Sequence, residues 1–513
     1  MTRFLTSPRL WEVVAVCFAV LTLFASANRI YEIFDHAQTP DYAKEYRAIA
    51  HDIPVGPVAM LCGHAKDISP IERTKLALLD WEIFPDIVLP IDDSMLAGWT
   101  GSVVVSSHIS KLKKRYLEES FFVPVAGNGS ATIWGRPCDS IDHRPCRPEV
   151  SRLREVGGMF VVLIILVVIW LFARSDGSHF KVSKLFVALF VFFLLSALAL
   201  LVGFPAPNGF AVYAGKAKLF LAAGGIPQGF WNDPAFAVCQ PSYPIGMVIP
   251  AIVLYGISGA FGETWIQVIV PLVLSLLFLE IIGDGRQSLL RTAVALSFVL
   301  SPLAIKLAVG YYAEPMAALL IAMGIKALRC KRILRGWALI GMASLFRMEC
   351  LLVDIAALLS IGSIYLGDNR KGFCSMTRWS MSSVVCLLPG VMWNSFCLVQ
   401  GAHVQGFDFY NMPSLERVAL AGKAMLSAIV AIENGIGASF TLLVGAAFCS
   451  LGGRILSQRI FIVFFCSLVV GIVALGFNGS DHFLWILENV APRYVWLLMS
   501  LSVYSQQDVK VDI

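Results

Sequence analysis

The chain has 513 residues, 57% of them hydrophobic and 15% charged, with a formal net charge of +5. That balance is too apolar for a water-soluble domain of this length and indicates an integral membrane protein. The small positive excess is what basic cytoplasmic loops produce, and it calls for no nucleic-acid partner.

Apolar runs long enough to cross a ~30 Å hydrocarbon core lie near 10–27, 157–174, 184–204, 265–282, 292–309, 315–329, 336–347, 350–366, 380–399, 437–452, 459–477 and 487–504. They predict a polytopic α-helical membrane protein with about twelve spans. Residues 1–27 read as an uncleaved anchor, because no small-x-small cleavage site closes the first run. Its basic flank places residues 28–156 outside the cytoplasm. Alternating from there, residues 157–183 supply a second span and a cytoplasmic loop, and 184–513 a membrane core with an external loop at 205–264. The segments "ARSDGSHFKVSK", "GDGRQSLLRT", "RCKRILRG", "DNRKGFCSMTR" and "GGRILSQR" then all fall inside, so charge bias and span count agree. This register requires 244–258, which carries two prolines and a glycine, to lie re-entrant or along the outer face.

Residues 28–156 are of domain size. "GPVAMLC", "DIVLPI", "GSVVVSS" and "FFVPVA…SATIWG" read as short strands, and "SPIERTKLALLDWEIF" as a helix with Ser69 as N-cap and Pro70 at its first position. A small extracytoplasmic α/β domain inserted after the first span is expected. It carries no glycine-rich phosphate loop and no nucleophile elbow, and His64 and His108 lack metal-ligand spacing, so it reads as a scaffold or recognition unit. Cys138 and Cys146 face an oxidising compartment at a spacing open to a disulfide or to two free thiols.

Ionisable residues at span ends are costly unless they meet water or a partner. Four such clusters fall on the predicted outer face: the loop "NGFAVYAGKAKLFLAAGGIPQGFWNDPAFAVCQPSYPIG", then "GYYAEPM", "LFRMEC" and "ENVAPRYVW". Each alone is what an interfacial anchor looks like, with aromatics at headgroup level and Arg snorkelling. Four on one face indicate a shared cavity. Phe230, Trp231 and Tyr243 either line a groove there or serve as interfacial aromatics.

The order of these features resembles the bacterial polytopic glycosyltransferases of the GT-C superfamily, which take sugars from polyprenyl-phosphate carriers. Their external loop carries an acidic W-D-A-W motif, then K-A-K, a glycine and H-P-x-Y-P-L; here Lys216, Lys218 and the run Gln240-Pro241-Ser242-Tyr243-Pro244 follow in that order. "YYAEP" is similar to the family's acidic-Pro motif, "LFRMEC" to its T-K-N-E-G, and "PRYVWLLM" to its late Arg-aromatic helix start. The resemblance covers about 184–504 and implies a GT-C-like core. It implies transfer from a polyprenyl-phosphate-linked sugar to an envelope glycan or lipid acceptor, at the outer side of a bacterial inner membrane.

One departure matters. The family's catalytic acid falls on Asn208 or within a residue of it, and an amide cannot accept a proton. Asp233 and Glu314 are then the candidate bases. Lys216, Lys218, Tyr243, Arg347, Glu349 and Arg493 are the candidate substrate-binding residues, the cations serving to hold the departing phosphate. No metal cluster is indicated, although Asp233 or Glu314 could hold a divalent cation in a site built from separate loops. Two functional classes stay open: an active glycosyltransferase, or a non-enzymatic protein, whether a lapsed relative or a transporter or flippase of the lipid carrier.

Overall fold

The structure is a computed structural model. It describes residues 8–35, 58–61, 88–91, 102–106, 123–127, 131–135, 152–174, 182–202, 208–232, 236, 239–258, 263–282, 289–361, 372–402, 414–431, 455–477 and 483–499.

Five short strands form one mixed sheet: β1 (Val58–Leu61), β2 (Val88–Ile91), β3 (Ser102–Ser106), β4 (Val123–Gly127) and β5 (Ala131–Gly135), in the order β2-β1-β3-β5-β4. β1 pairs parallel with β2 and β3, while β5 pairs antiparallel with β3 and β4. The sheet's two prolines, Pro90 and Pro124, fall on its edge strands β2 and β4. Only there can a residue without an N–H sit without breaking a ladder bond. The helix expected over 69–84, His64, His108, Cys138 and Cys146 lie outside the described residues.

The rest is helical: α1 (Pro8–Asp35), α2 (Arg152–Arg174), α3 (Val182–Val202), a π-helical segment (Asn208–Gly215), α4 (Lys216–Ala222), α5 (Val248–Ser258), α6 (Glu263–Ile266), α7 (Ile269–Ile282), α8 (Leu289–Val299), α9 (Pro302–Val309), α10 (Glu314–Arg329), α11 (Ile333–Met342), α12 (Cys350–Ser360), α13 (Gly372–Val399), α14 (Leu415–Val430), α15 (Ile455–Gly476) and α16 (Phe483–Met499). Among the described residues, three stretches are long and apolar enough to cross a membrane: Lys184–Val202, Trp379–Val399 and Arg459–Gly476. A fourth is a bent pair, Thr292–Val299 and Pro302–Val309, at 49°. The bend has a local cause: Pro302 has no N–H to donate, and the Ser301 side chain starts a new helix by accepting from the Ala304 amide at 3.1 Å.

α7 is buried at every position from Ile269 to Ile282 and packs against α3 and α10, so it is the centre of the helical assembly. A helix apolar on every face but for Glu280 has no other place to go. α10 and α11 approach closely through Gly324 and Gly336; a Cβ on Gly336 would lie 2.9 Å from the Gly324 carbonyl oxygen. The runs expected at 336–347 and 350–366 are short helices, α11 with 10 residues and α12 with 11, separated by a tight turn that carries Arg347. Residues 244–258 contain the 11-residue α5. At 1.5 Å per residue it reaches only about 16 Å, too little to cross. The run at 437–452 lies outside the described residues.

Candidate functional site

The sequence clusters at 310–316, 345–350 and 488–496 meet. Glu314 opens α10 and is fully buried, with Pro315 behind it occupying a position whose N–H would have no helical partner. Its Oε1 stands 3.2 Å from Nη1 of Arg493, which projects from within α16, and 3.5 Å from Nη1 of Arg347, which comes from the turn before α12. Arg347 also donates from Nη2 to Glu349 Oε1 at 2.6 Å. Both arginines are 3% exposed. Taking such charges out of water is expensive, and opposite charges at these distances offset the cost.

Aromatic side chains line the centre. The Arg493 guanidinium lies 4.6 Å from the ring centroid of Tyr312, and that of Arg347 lies 6.0 Å from Tyr243. Tyr213, buried on the π-helical segment, meets Tyr311 edge to face at 6.3 Å and is within electrostatic range of Glu314, Arg347 and Arg493. A π-helical turn is rare and often sits at functional sites. Tyr311 adopts φ 55°, a left-handed conformation costly for a bulky residue, and its hydroxyl donates to the Met247 carbonyl at 2.8 Å. The segment between Gly310 and Glu314 is thereby locked against the loop at 240–247.

That loop is held from several sides. Gln240 is left-handed at φ 45°, Gly246 N donates to Leu345 O at 2.8 Å, and Trp393 Nε1 donates to Ser242 O at 3.0 Å. Lys216, fully buried on α4, donates to the carbonyls of Tyr243 at 2.9 Å and Pro241 at 3.4 Å. Burial lowers its ammonium to about 7, an effect that nearby Cys239 and Cys397 oppose. The lysine expected to meet a phosphate thus spends donors on the loop that presents Tyr243. Phe220, Phe230, Trp231, Trp393 and Phe396 form a continuous chain of ring contacts beside it.

The structure therefore gathers Glu314, Arg347, Glu349, Arg493 and Tyr243 into one place. Lys216 joins through the loop's main chain, and Lys218 is buried on the same short helix. Asn208 begins the π-helical segment, and its neighbour Gly209 packs so tightly on the Gly310 carbonyl that a Cβ would collide with it. Asp233 lies outside the described residues. Among the described residues, no group of three His, Cys, Asp or Glu side chains is arranged to hold a metal ion.

Sequence reasoning missed a second ionic cluster. Glu280, buried on α7, accepts from Trp170 Nε1 at 3.0 Å and from the Lys326 ammonium at 3.2 Å, joining α2, α7 and α10. A lone acid inside "LSLLFLEIIG" was the available signal, since a carboxylate amid apolar residues requires a partner. It also missed Asp354 on α12, fully buried with neither carboxyl oxygen hydrogen-bonded among the described residues.

Comparison with protein-family models, with curated proteins and with solved structures finds no match for this chain.

Proposed function

We propose that the protein is a GT-C-like membrane glycosyltransferase of about twelve spans, with residues 28–156 and 205–243 on the outer side of a bacterial inner membrane. It moves a sugar from a polyprenyl-phosphate donor to an envelope glycan or lipid acceptor. One observation carries the reading: two buried arginines converge on the Glu314 carboxylate at 3.2 and 3.5 Å, beside tyrosine rings. A site that must receive negative charge on a departing phosphate needs fixed cations, and fixing them beforehand avoids reorganisation during the reaction.

In the proposed step, the acceptor oxygen attacks the sugar's anomeric carbon. The bond from that carbon to the phosphate oxygen breaks, the electron pair leaves with the phosphate, and a carboxylate takes the acceptor's proton. Arg347 and Arg493 hold the phosphate. Glu314 sets their positions, and either it or Asp233 takes the proton.

A second reading, a lapsed relative that binds the carrier without transfer, is favoured by the amide at Asn208 and by the engagement of Glu314 with two arginines. Protein purified into nanodiscs and supplied with polyprenyl-phosphate sugars separates the two. Release of polyprenyl phosphate that falls about 10²–10⁴-fold in Asp233→Asn or Glu314→Gln supports transfer. Carrier binding without release supports the lapsed relative.

A further inference from the structure

The end of α9 puts its residues in an unexpected order. The amide of Tyr311 donates to the Ala308 carbonyl at 3.5 Å and that of Tyr312 to the Leu307 carbonyl at 3.3 Å, with Tyr311 left-handed at φ 55°. These are the two bonds of a Schellman motif, whose left-handed position normally belongs to glycine. A glycine stands one residue earlier, at Gly310, where φ is −91° and the backbone is open to ordinary residues. The bulky residue thus occupies the position that suits glycine, and the glycine a position that does not ask for one.

Side chains account for both choices. The Tyr311 hydroxyl is anchored on the Met247 carbonyl at 2.8 Å, which holds the strained turn in place. At Gly310 the requirement is space, because a Cβ there would collide with Cε2 of the Tyr312 ring. The ring therefore lies over the Gly310 Cα, and from that position its centroid is 4.6 Å from the Arg493 guanidinium. Residues 310–314 so supply Arg493 with a π face and, through Glu314 Oε1 at 3.2 Å, with a counter-charge. Arg493 Nε is occupied by the Asn489 carbonyl at 2.7 Å, whereas Nη1 has no hydrogen bond among the described residues. A planar guanidinium held by its face and by Nε has the direction of its Nη edge fixed.

We propose that Tyr312 is a positioning residue: its ring, brought across Gly310 by the turn at Tyr311, fixes the Arg493 guanidinium and so aims Nη1 at the anion that this arginine receives. The inference rests on the reading of Arg493 as a phosphate-holding cation. It assigns the work to the ring face and none of it to the Tyr312 hydroxyl.

The test uses full-length protein in nanodiscs and compares wild type with Tyr312→Phe, Tyr312→Leu, Gly310→Ala and Gly310→Ala/Tyr312→Leu. Release of polyprenyl phosphate from a polyprenyl-phosphate sugar should fall about 10–30-fold in kcat in Tyr312→Leu, the scale of a desolvated cation–π contact, and stay within about twofold of wild type in Tyr312→Phe. Gly310→Ala should lower kcat in the wild-type background and cause no further loss beside Tyr312→Leu, because the ring it displaces is then absent. A second readout does not depend on turnover. Phenylalanines carrying one to three ring fluorines in place of Tyr312 should lower the melting temperature stepwise with fluorine number, and should not do so in Arg493→Met, since fluorine weakens the ring's negative face. A flat fluorine series, or Tyr312→Leu turning over like wild type, overturns the inference. If wild type releases no carrier, the transferase reading fails, and the same variants are titrated with farnesyl phosphate. Binding weakened about tenfold in Tyr312→Leu and kept in Tyr312→Phe then supports the inference, and equal affinities or no saturable binding overturn it.

Discussion

Replacing Glu314 by glutamine tests the ion centre most directly, because its two arginines are unequally insured. Arg347 keeps Glu349 at 2.6 Å, whereas Arg493 is left with the neutral Asn489 carbonyl at 2.7 Å and the Tyr312 ring. The penalty therefore falls mainly on Arg493, a buried guanidinium stripped of its counter-charge, for which about 3–5 kcal/mol is the usual scale. Removing that cation as well, in Glu314→Gln/Arg493→Met, takes away the uncompensated charge. The double variant is expected within about 1 kcal/mol of wild type, since apolar replacement of a buried pair is often neutral. Equilibrium unfolding of the four proteins in detergent closes the double-mutant cycle. A Glu314→Gln protein as stable as wild type, or a double variant no more stable than Glu314→Gln, would refute the reasoning. Carrier release adds a second readout: the double variant should be folded yet inactive.

Gly341→Ala should destabilise the protein by about 1–3 kcal/mol, because the added methyl would run into the Cys386 main-chain carbonyl. Gly225→Ala, with open space around it, should stay within about 0.5 kcal/mol; equal thermal shifts in the two would contradict the packing of α11 on α13. Asp354→Leu should raise the unfolding free energy by about 1–3 kcal/mol by removing a buried carboxyl without a hydrogen bond, and a lower melting temperature would count against that account. For sidedness, cysteines introduced near 130 and 230 should be labelled by an impermeant reagent from outside and one near 330 should not; the reverse pattern sinks the topology.

Much of the ion centre is legible in the sequence because membrane burial makes charge conspicuous. Glu314, Arg347 and Arg493 each interrupt an apolar run, and each interruption demands a partner. The strand segments are legible for a similar reason, as β-branched runs bounded by Gly, Pro or Asp. Their order in the sheet is not, since crossover connections are invisible to local pattern. Nor is the use of Lys216, whose acceptors are main-chain carbonyls 25 and 27 positions away, or the pairing of Glu280 with Lys326, which depends on α7 lying against α10. Residue type announces that a charge must be met; only helix adjacency says by what.

The three members of the ion centre come from distant parts of the chain, and the last of them sits on the final described helix. During synthesis, Glu314 enters the membrane region with only Arg347 near in sequence, and Arg493 emerges from the ribosome much later. Until α16 arrives, Glu314 must share Arg347 with Glu349, which leaves two carboxylates on one guanidinium in an apolar setting where unmatched charge is costly. The carboxylate is fully met only when α16 packs against α10, so the docking of that helix and the pairing of its buried charge are one event.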